Sequence, residues 1–259
     1  MVEAGALEGV DAILAVHVDP SRSVGRIGIR TGILTANCDA VQISIVGRGG
    51  HAARPHEAID PIATAAQLIN SLYLSLPRVT DSQDAVVVTI GCIVGGSNPN
   101  VIPEQVQLQG TMRTLDGDVR NRAMEHIAQI CRGIAESSGT QIHVRFESGI
   151  SSVNNHAHMS NLWRQVGGEL LGPEQVEEIA RPSMGSEDFA VYLQHVPGAL
   201  LRLGCVRPGM NGTPLHNSLF DLDETAISLG SKLLARAAAA WANPERQSGS
   251  CPPVVEESR

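Results

Sequence analysis

The chain has 259 residues, of which 42% are hydrophobic and only 3% are aromatic, so a globular protein with an aliphatic core is expected. Its 27 acidic and 19 basic residues give a formal net charge of -8. This balance argues against nucleic acid or an anionic membrane surface as a partner, because either one requires a basic patch.

The first predicted strand is the nearly continuous apolar run at 12–18 (AILAVHV), which is typical of a buried strand in an α/β sheet. Residues 1–8 before it resemble the end of a helix, without an N-cap or a first turn. We therefore predict that residues 1–35 form the first, incomplete part of an α/β domain.

Residues 36–147 are predicted to form a ferredoxin-like module of order βαββαβ. Each of its strands has one apolar face, as an antiparallel sheet covered by helices on one side requires. One helix follows the Asp60-Pro61 pair, and the other runs from about Asp118 to Gly139. The first of these helices is predicted to bury Ile62, Ala65, Leu68, Ile69 and Leu72. The four strands are predicted at 40–46, 85–93, 106–113 and 142–146.

Residues 148–243 return to an α/β pattern and are predicted to complete the domain that begins at residue 1. The tail at 244–259 is rich in Pro, Ser and Glu and is predicted to be disordered. The elements predicted for the α/β segment are a helix at 157–171, a helix near Ser186, a strand at 199–204 and a long helix from about Asp223 to Pro244.

Three histidines are candidates for chemistry. His17 ends an apolar strand, and His216 lies in a Gly/Pro-rich loop, both of which are positions where metal ligands occur. Each can equally be structural, His17 as a buried histidine bonded to backbone and His216 as a surface residue. His51 follows Gly49-Gly50 on a glycine-rich loop, where a donor can stabilise a developing oxyanion.

Three further residues are candidates for holding a substrate. Asn100 lies between a turn and a strand, and Arg113 projects from the polar face of the next strand. Together an amide and a guanidinium can hold a carboxylate, although such residues are more often turn-forming or solvated. Ser186 belongs to the run MGSEDFA, which is either an ordinary helix cap or a place where backbone N–H groups meet a substrate carboxylate.

The five cysteines are scattered, without a CxxC pair, which favours free thiols in a reducing compartment. No segment reaches the roughly 20 apolar residues of a membrane span. The expectation is a cytoplasmic protein without a membrane partner.

Five runs in the same order resemble the metal-dependent aminoacylase/carboxypeptidase family of amidohydrolases, in the branch with hippurate hydrolase, N-acyl-amino-acid amidohydrolase and auxin-conjugate hydrolase. The runs cover most of residues 5–243. The resemblance implies a partial α/β metallohydrolase catalytic domain, divided between 1–35 and 148–243, with an inserted lid and dimerisation domain. The runs are GALEGVDAILAVHVDP, GRGGHAARPHEAIDPI, GGSNPNVIPEQVQLQGTMRTLD, MGSEDFA and TPLHNSLFDLDE.

The resemblance also implies an activity, namely hydrolysis of the amide bond of an N-acyl amino acid or small peptide. Two divalent metal ions (zinc, manganese or cobalt) serve this chemistry in the complete enzyme. By the same resemblance, His17 and His216 are metal ligands, and His51 reaches the substrate carbonyl from the lid of a partner subunit. Asn100 and Arg113 hold the substrate in a homodimer that forms through the lid.

The family's Cys-Gly-His-Asp run and Glu-Glu pair, which supply further ligands and the general base, are not in this sequence. The resemblance thus implies an N-terminally truncated chain with an incomplete metal site. Catalytic zinc sites usually have three protein ligands, so weak or no activity is expected from this chain alone. The alternatives are a non-catalytic remnant for dimerisation or small-molecule binding, and a plain ferredoxin-like regulatory module.

Overall fold

The computed structural model describes residues 1–243 of the chain. The predicted tail at 244–259 and Cys251 lie outside these residues. The five helices of this part are α1 (Pro61–Val79), α2 (Gly117–Ser138), α3 (Ala157–Leu171), α4 (Phe189–Leu193) and α5 (Thr225–Trp241). Its strands are β1 (Ile13–Ser23), β2 (Ile27–Ile29), β3 (Gly32–Ile33), β4 (Asn37–Val46), β5 (Gly50–His51), β6 (Val86–Gly95), β7 (Val101–Ile102), β8 (Gln105–Thr114), β9 (Gln141–Ile150), β10 (Asn154–Asn155), β11 (Val176–Glu178) and β12 (Gly198–Val206).

The elements divide into two compact units. The mixed-sheet unit comprises residues 1–34 and 153–183 and, in the rest of the described chain, residues 187–243. The antiparallel unit comprises residues 35–152 together with 184–186.

The mixed-sheet unit has a four-stranded sheet of order β1-β12-β2-β11. β1 and β12 are parallel, with Ile13 opposite Gly198 and Val18 opposite Leu203, so the predicted strands at 12–18 and 199–204 belong to one sheet. Helices α3 and α5 contact each other and β12. Their apolar side chains pack with one face of the sheet around the fully buried Trp163.

The antiparallel unit has a four-stranded sheet of order β6-β8-β4-β9, with every neighbouring pair antiparallel. Its main elements follow the chain order β4-α1-β6-β8-α2-β9, which confirms the predicted βαββαβ class. Its core is formed by the alternate buried residues of β4 and β8 and by apolar side chains of α1 and α2.

Local signals explain where the two long helices begin and end. The Asp60 side chain accepts hydrogen bonds from the backbone N–H groups of Ile62 and Ala63, and Pro61 occupies the first helical position. Asp116 caps α2 in the same way, and Gly139 ends it with a φ of 72°. Glycine adopts this left-handed conformation without the steric cost that a Cβ atom brings.

Several element predictions need correction. Residues 1–8 form a single 3-10 turn at Val2–Ala4 followed by further turns, because Gly5 takes a left-handed φ of 82° and ends the helical run. Ile62 lies in the first turn of α1 and is 47% exposed, not buried as its periodicity suggests. The helix predicted near Ser186 begins at Phe189.

Cys38, Cys92, Cys131 and Cys205 are free thiols. Burial raises the pKa of the Cys131 thiol to about 11, so this side chain is a neutral core group. No helix within residues 1–243 is long and apolar enough to cross a membrane.

Candidate functional site

His17 lies in β1 on the face of the mixed sheet opposite the core, because the flanking Val16 and Val18 pack into the core cluster and strand side chains alternate between faces. Its Nδ1 is 2.7 Å from the carbonyl oxygen of Val18. Only an N–H can donate to a carbonyl, so Nδ1 carries a proton. In a neutral imidazole this leaves the Nε2 lone pair available as a ligand, and metal-binding histidines are commonly oriented in this way.

A carboxylate faces that free nitrogen. The Oε2 atom of Glu187 is 3.5 Å from Nε2 of His17, and the two side chains are 21% and 32% exposed. Glu187 lies two residues before the first residue of α4, and the N-cap residue of this helix, Asp188, makes no capping hydrogen bond through its side chain. The MGSEDFA run therefore does not act here as a side-chain helix cap.

A row of residues crosses the same face of the sheet. His17 lies opposite Arg202 in β12, Arg202 lies opposite Gly28 in β2, and Gly28 lies opposite Glu177 in β11. Arg22 extends across Gly28, where a Cβ atom would come within 2.8 Å of its guanidinium carbon. A larger residue at this position would displace the end of the Arg22 side chain.

Arg22 links two carboxylates in this row. It pairs with Asp19 and, through Nε at 3.2 Å, with Glu177, which also accepts a 2.7 Å bond from Arg26. Burial alone would raise the pKa of Asp19, but hydrogen bonds from Ser21 and the charge and hydrogen bond of Arg22 outweigh it and lower this pKa. The carboxylates of Asp19 and Glu177 therefore already accept hydrogen bonds or ion pairs from neighbouring donors.

Arg202 is half-buried beside His17, and its side chain makes no hydrogen bond with another residue of the described part of the chain. Burial lowers the pKa of its guanidinium, whereas the charges of Glu187 and Asp19 act in the opposite direction. The positive charge next to His17 is thus offset by two carboxylates.

The glycine-rich run of the antiparallel unit is a tightly folded loop. A Cβ atom at Gly47 would clash with the carbonyl oxygen of Ile59, and one at Gly49 would lie 2.9 Å from that of Ile102. Arg48 and Ile59 exchange two 2.9 Å backbone hydrogen bonds at the base of the loop. The glycines are therefore needed for close approach of the backbone, which holds His51 in place.

His51 and Asn100 are neighbours at the end of the loop. His51 in β5 lies opposite Val101 in β7, and the N–H of Ala52 donates to the carbonyl oxygen of Asn100 at 3.1 Å. The Nδ1 atom of the exposed His51 accepts a 3.1 Å bond from Ala53 N–H. This assigns the proton of the neutral ring to Nε2, which is then a free donor.

Arg113 and Ser186 are also brought close together. The half-buried Arg113 donates through Nη1 to the carbonyl oxygen of Met184 at 2.9 Å. The N–H of Ala36 donates to the carbonyl oxygen of Gly185 at 2.9 Å. The 184–186 segment is thus held against β8 and the start of β4, within the antiparallel unit.

His216 lies in the loop between β12 and α5. It is exposed and has a φ of 64°, the one positive φ of a non-glycine residue in the described part. Its side chain makes no hydrogen bond with another described residue. Within residues 1–243, no group of three or more His, Cys, Asp and Glu side chains is arranged to hold a metal ion.

Sequence reasoning did not select Glu187 or Arg202. Glu187 belongs to a run that looks like a helix start, and Arg202 interrupts the otherwise apolar strand ALLRLG. One signal could have identified Arg202: it is a charged residue in a strand whose other residues are apolar. No local signal distinguished Glu187 from its neighbour Asp188.

A mixed α/β unit that presents a ligand-ready histidine, interrupted by a βαββαβ unit, is the organisation expected of a two-domain metallohydrolase. Comparison with known proteins agrees. Residues 29–138 match the model of a peptidase dimerisation domain. The chain is 40% identical to a probable hydrolase from Synechocystis and 37% identical to an N-acetylcysteine deacetylase from Bacillus subtilis, in each case over 92% of this chain and 61% of the relative.

The solved structures give the same result. A dinuclear metal-binding peptidase of the M20 family from Bacillus subtilis is 33% identical, with a TM-score of 0.75 over 93% of this chain and 60% of that one. An aminohydrolase from methicillin-resistant Staphylococcus aureus, at 24% identity, has the same fold with a TM-score of 0.85. The chain is therefore similar to a peptidase of the M20 family, and it spans about three-fifths of the length of these relatives.

Proposed function

We propose that this protein hydrolyses the amide bond of N-acyl amino acids or small peptides with the help of two divalent metal ions. One observation carries the proposal: the Nδ1 atom of His17 is bonded to a backbone carbonyl, and its Nε2 atom faces a carboxylate. The names of the relatives, which include deacetylases and a thermostable carboxypeptidase, support the type of reaction.

In this proposal His17 and His216 hold zinc, manganese or cobalt. A bound divalent ion supplies Lewis-acid chemistry and lowers the pKa of water. The donor set of this chain fits such an ion in part, since Nδ1 of His17 is bonded to a backbone carbonyl and Nε2 faces a carboxylate. Within residues 1–243, the side chains do not provide a group of three or more ligands for such an ion.

The antiparallel unit supplies the groups that hold the substrate. The Nε2–H group of His51 donates to the substrate carbonyl and stabilises the negative charge that develops on its oxygen. Asn100 lies beside it with a side-chain amide that makes no hydrogen bond to another described residue. Arg113 and Ser186 bind the substrate carboxylate, and a guanidinium suits this role because it can donate two parallel hydrogen bonds.

The test is hydrolysis of a panel of N-acetyl amino acids and dipeptides by the protein purified from its own source, with zinc, manganese or cobalt added. We expect His51→Ala to lower kcat/KM about 100- to 1,000-fold, because it removes one oxyanion donor. His143→Ala, which removes an exposed histidine of β9, is the matched control and should retain the rate. Absence of hydrolysis with every metal, or an undiminished rate in His51→Ala, would contradict the proposal.

The antiparallel unit is further proposed to form a homodimer through β6 and α1. β6 is an edge strand of the sheet. Several apolar side chains of β6 and α1 are more than half exposed, among them Ile93, Val94 and Leu74. The opposite edge, β9, instead exposes His143 and Arg145. Because charged edges resist pairing and long apolar ones invite it, β6 is the edge that fits a second copy of the chain.

Replacing Val94 by aspartate should convert the dimer to a monomer, because it places a charge in an apolar contact between two identical edges. Val94 is 60% exposed, so the fold of one subunit should tolerate the change. Size-exclusion chromatography with light scattering measures the mass. The control is Leu219→Asp in the mixed-sheet unit, where Leu219 is 79% exposed. An unchanged mass for Val94→Asp, or an equal loss in both variants, would contradict this interface.

A further inference from the structure

We propose that Arg54 selects substrates that carry a second negative charge, in addition to the carboxylate held by Arg113. The inference rests on the proposed function in one respect, the role of His51 as the donor to the substrate carbonyl. It narrows the substrate class to acidic N-acyl amino acids, in which the second carboxylate belongs either to the amino acid side chain or to the acyl group.

The first argument is that Arg54 is fixed close to His51. The N–H group of Arg54 donates to the carbonyl oxygen of His51 at 2.8 Å, which closes a turn of four residues. The α-carbons at the two ends of such a turn lie less than about 7 Å apart. Within the same turn, the N–H of Ala53 holds Nδ1 of His51 at 3.1 Å. One turn therefore positions both the carbonyl donor and a guanidinium that can reach a group attached to that carbonyl.

The second argument is that the donors of Arg54 are free. All residues from His51 to Glu57, the tip of the loop, are exposed, and the side chain of Arg54 is 66% exposed. Among residues 1–243 its guanidinium makes no hydrogen bond. It has one loose ion pair, in which Nη1 is 3.6 Å from Oε1 of Glu57, beyond the roughly 2.7–2.9 Å of a charge-assisted hydrogen bond. A substrate carboxylate can therefore accept two parallel bonds from this guanidinium.

The third argument is the charge at the tip of the loop. The same oxygen of Glu57 also lies 3.8 Å from Nε2 of His56, so one carboxylate serves two basic side chains. The base of the loop carries one charge of each sign, Arg48 and Glu104. On a chain with a formal net charge of -8, an anion meets repulsion over most of the surface. The tip of the loop is a place where it gains a direct cationic partner instead.

The position of Arg113 shows that Arg54 acts on a different negative charge. Arg113 lies opposite Cys38, whereas the loop follows Val46 at the other end of β4. These ends are eight residues apart, or roughly 26 Å at about 3.3 Å per residue. The two arginines of one subunit therefore cannot hold the same carboxylate. In the proposed homodimer, His51 and Arg54 of one subunit approach together the substrate that Arg113 of the other subunit holds.

The experiment compares two pairs of compounds whose members differ in one charge. N-acetyl-L-glutamate and N-acetyl-L-glutamine place the second carboxylate or its amide on the amino acid, and N-succinyl-L-alanine and its succinamoyl analogue place it on the acyl group. The ratio of kcat/KM within each pair is measured with zinc, manganese or cobalt, and the affinities are measured by ligand-observed NMR.

The variants are Arg54→Ala, Arg54→Lys and Glu57→Gln, with Arg145→Ala as the matched control. Arg145 is a 75% exposed arginine of the same unit, with the carboxylate of Glu147 at 3.7 Å, and its loss changes the net charge as Arg54→Ala does. Circular dichroism shows whether each variant retains its fold.

We expect the protein to prefer the acidic member of one pair about three- to fivefold, the range that an exposed ion pair supplies. The pair concerned shows on which side of the amide bond the second carboxylate lies. Arg54→Ala should abolish the preference and Arg54→Lys should keep part of it. Glu57→Gln should increase it, because a competing carboxylate is removed, and Arg145→Ala should leave it unchanged.

Hydrolysis without a preference in either pair, or an undiminished preference in Arg54→Ala, would show that this inference is wrong while the proposed function stands. Equal losses in Arg54→Ala and Arg145→Ala would reveal an effect of net charge alone and also overturn it. If no compound is hydrolysed, the proposed function is wrong, and the ratio of affinities within each pair decides the inference by the same criteria.

Discussion

Replacing Asp39 by asparagine should lower the free energy of unfolding by about 3 kcal/mol, in the range found when one partner of a buried ion pair is removed. Asp39 in β4 is fully buried, and its carboxylate is bidentate with Arg120 of α2, whose Nε donates to Oδ2 at 2.8 Å. The N–H of Gly149 in β9 also points at Oδ1, at 3.4 Å. One carboxylate thus joins two strands and a helix.

The loss is large because the partner remains. The Asp39 hydrogen bond is the main cause of the raised pKa of Arg120. Without it the guanidinium still stays charged, because an arginine side chain is effectively always protonated, and it then faces an uncharged amide. Urea unfolding followed by circular dichroism measures the change. Asp118→Asn, in the exposed first turn of α2, serves as the control. A loss below 1 kcal/mol for Asp39→Asn would mean that solvent reaches the pair and screens it.

The second large effect is expected from Trp163→Ala, at about 3–5 kcal/mol of unfolding free energy. Trp163 is fully buried in α3, and its Nε1–H donates to the carbonyl oxygen of Ala199 in β12 at 3.1 Å. The change leaves a cavity between the helix and the sheet and leaves a buried carbonyl without its donor. Both effects destabilise the mixed-sheet unit.

The measurement of unfolding depends on the number of tryptophans in the chain. It has two tryptophans, and the second, Trp241 in α5, belongs to the same unit and still reports its unfolding in the variant. Trp163→Phe keeps most of the ring volume and should cost only about 1–2 kcal/mol, chiefly through the lost hydrogen bond. The control is Leu234→Ala, at 39% exposure on α5. Equal losses in Trp163→Ala and Leu234→Ala would contradict the packing described for α3.

The sequence alone was sufficient to predict an element of secondary structure where the pattern that indicates it is local and repeated. Helix α2 was predicted from the periodic apolar residues between Asp118 and Gly139, and the caps at Asp116 and Gly139 act within a few residues. Short β2 and β11 were missed, because three residues carry no periodicity and their pairing joins Ile27 to Val176. Strands of this kind exist only through partners that are remote in sequence.

The same distinction applies to the candidate site. His17 was selected because it lies at the end of the predicted strand 12–18 and matches a family motif, but β1 continues beyond it to Ser23, so His17 lies within the strand. The position of Glu187 opposite it joins residues 170 positions apart, and no local pattern reports such a contact. For His51, the glycine run marked the loop, but its pairing with the Asn100 segment became visible only in the backbone hydrogen bonds.

The parallel pairing of β1 with β12 also has a consequence for folding during synthesis. Ile13 and its partner Gly198 are 185 residues apart along the chain, whereas every strand of the antiparallel sheet lies between Asn37 and Ile150. At about 5–20 residues per second, the ribosome delivers β12 roughly 10–40 s after β1. The inserted unit can fold during this interval, while the apolar strand that carries His17 must wait for its neighbour. A nascent chain held before residue 198 should therefore expose β1 to chaperones.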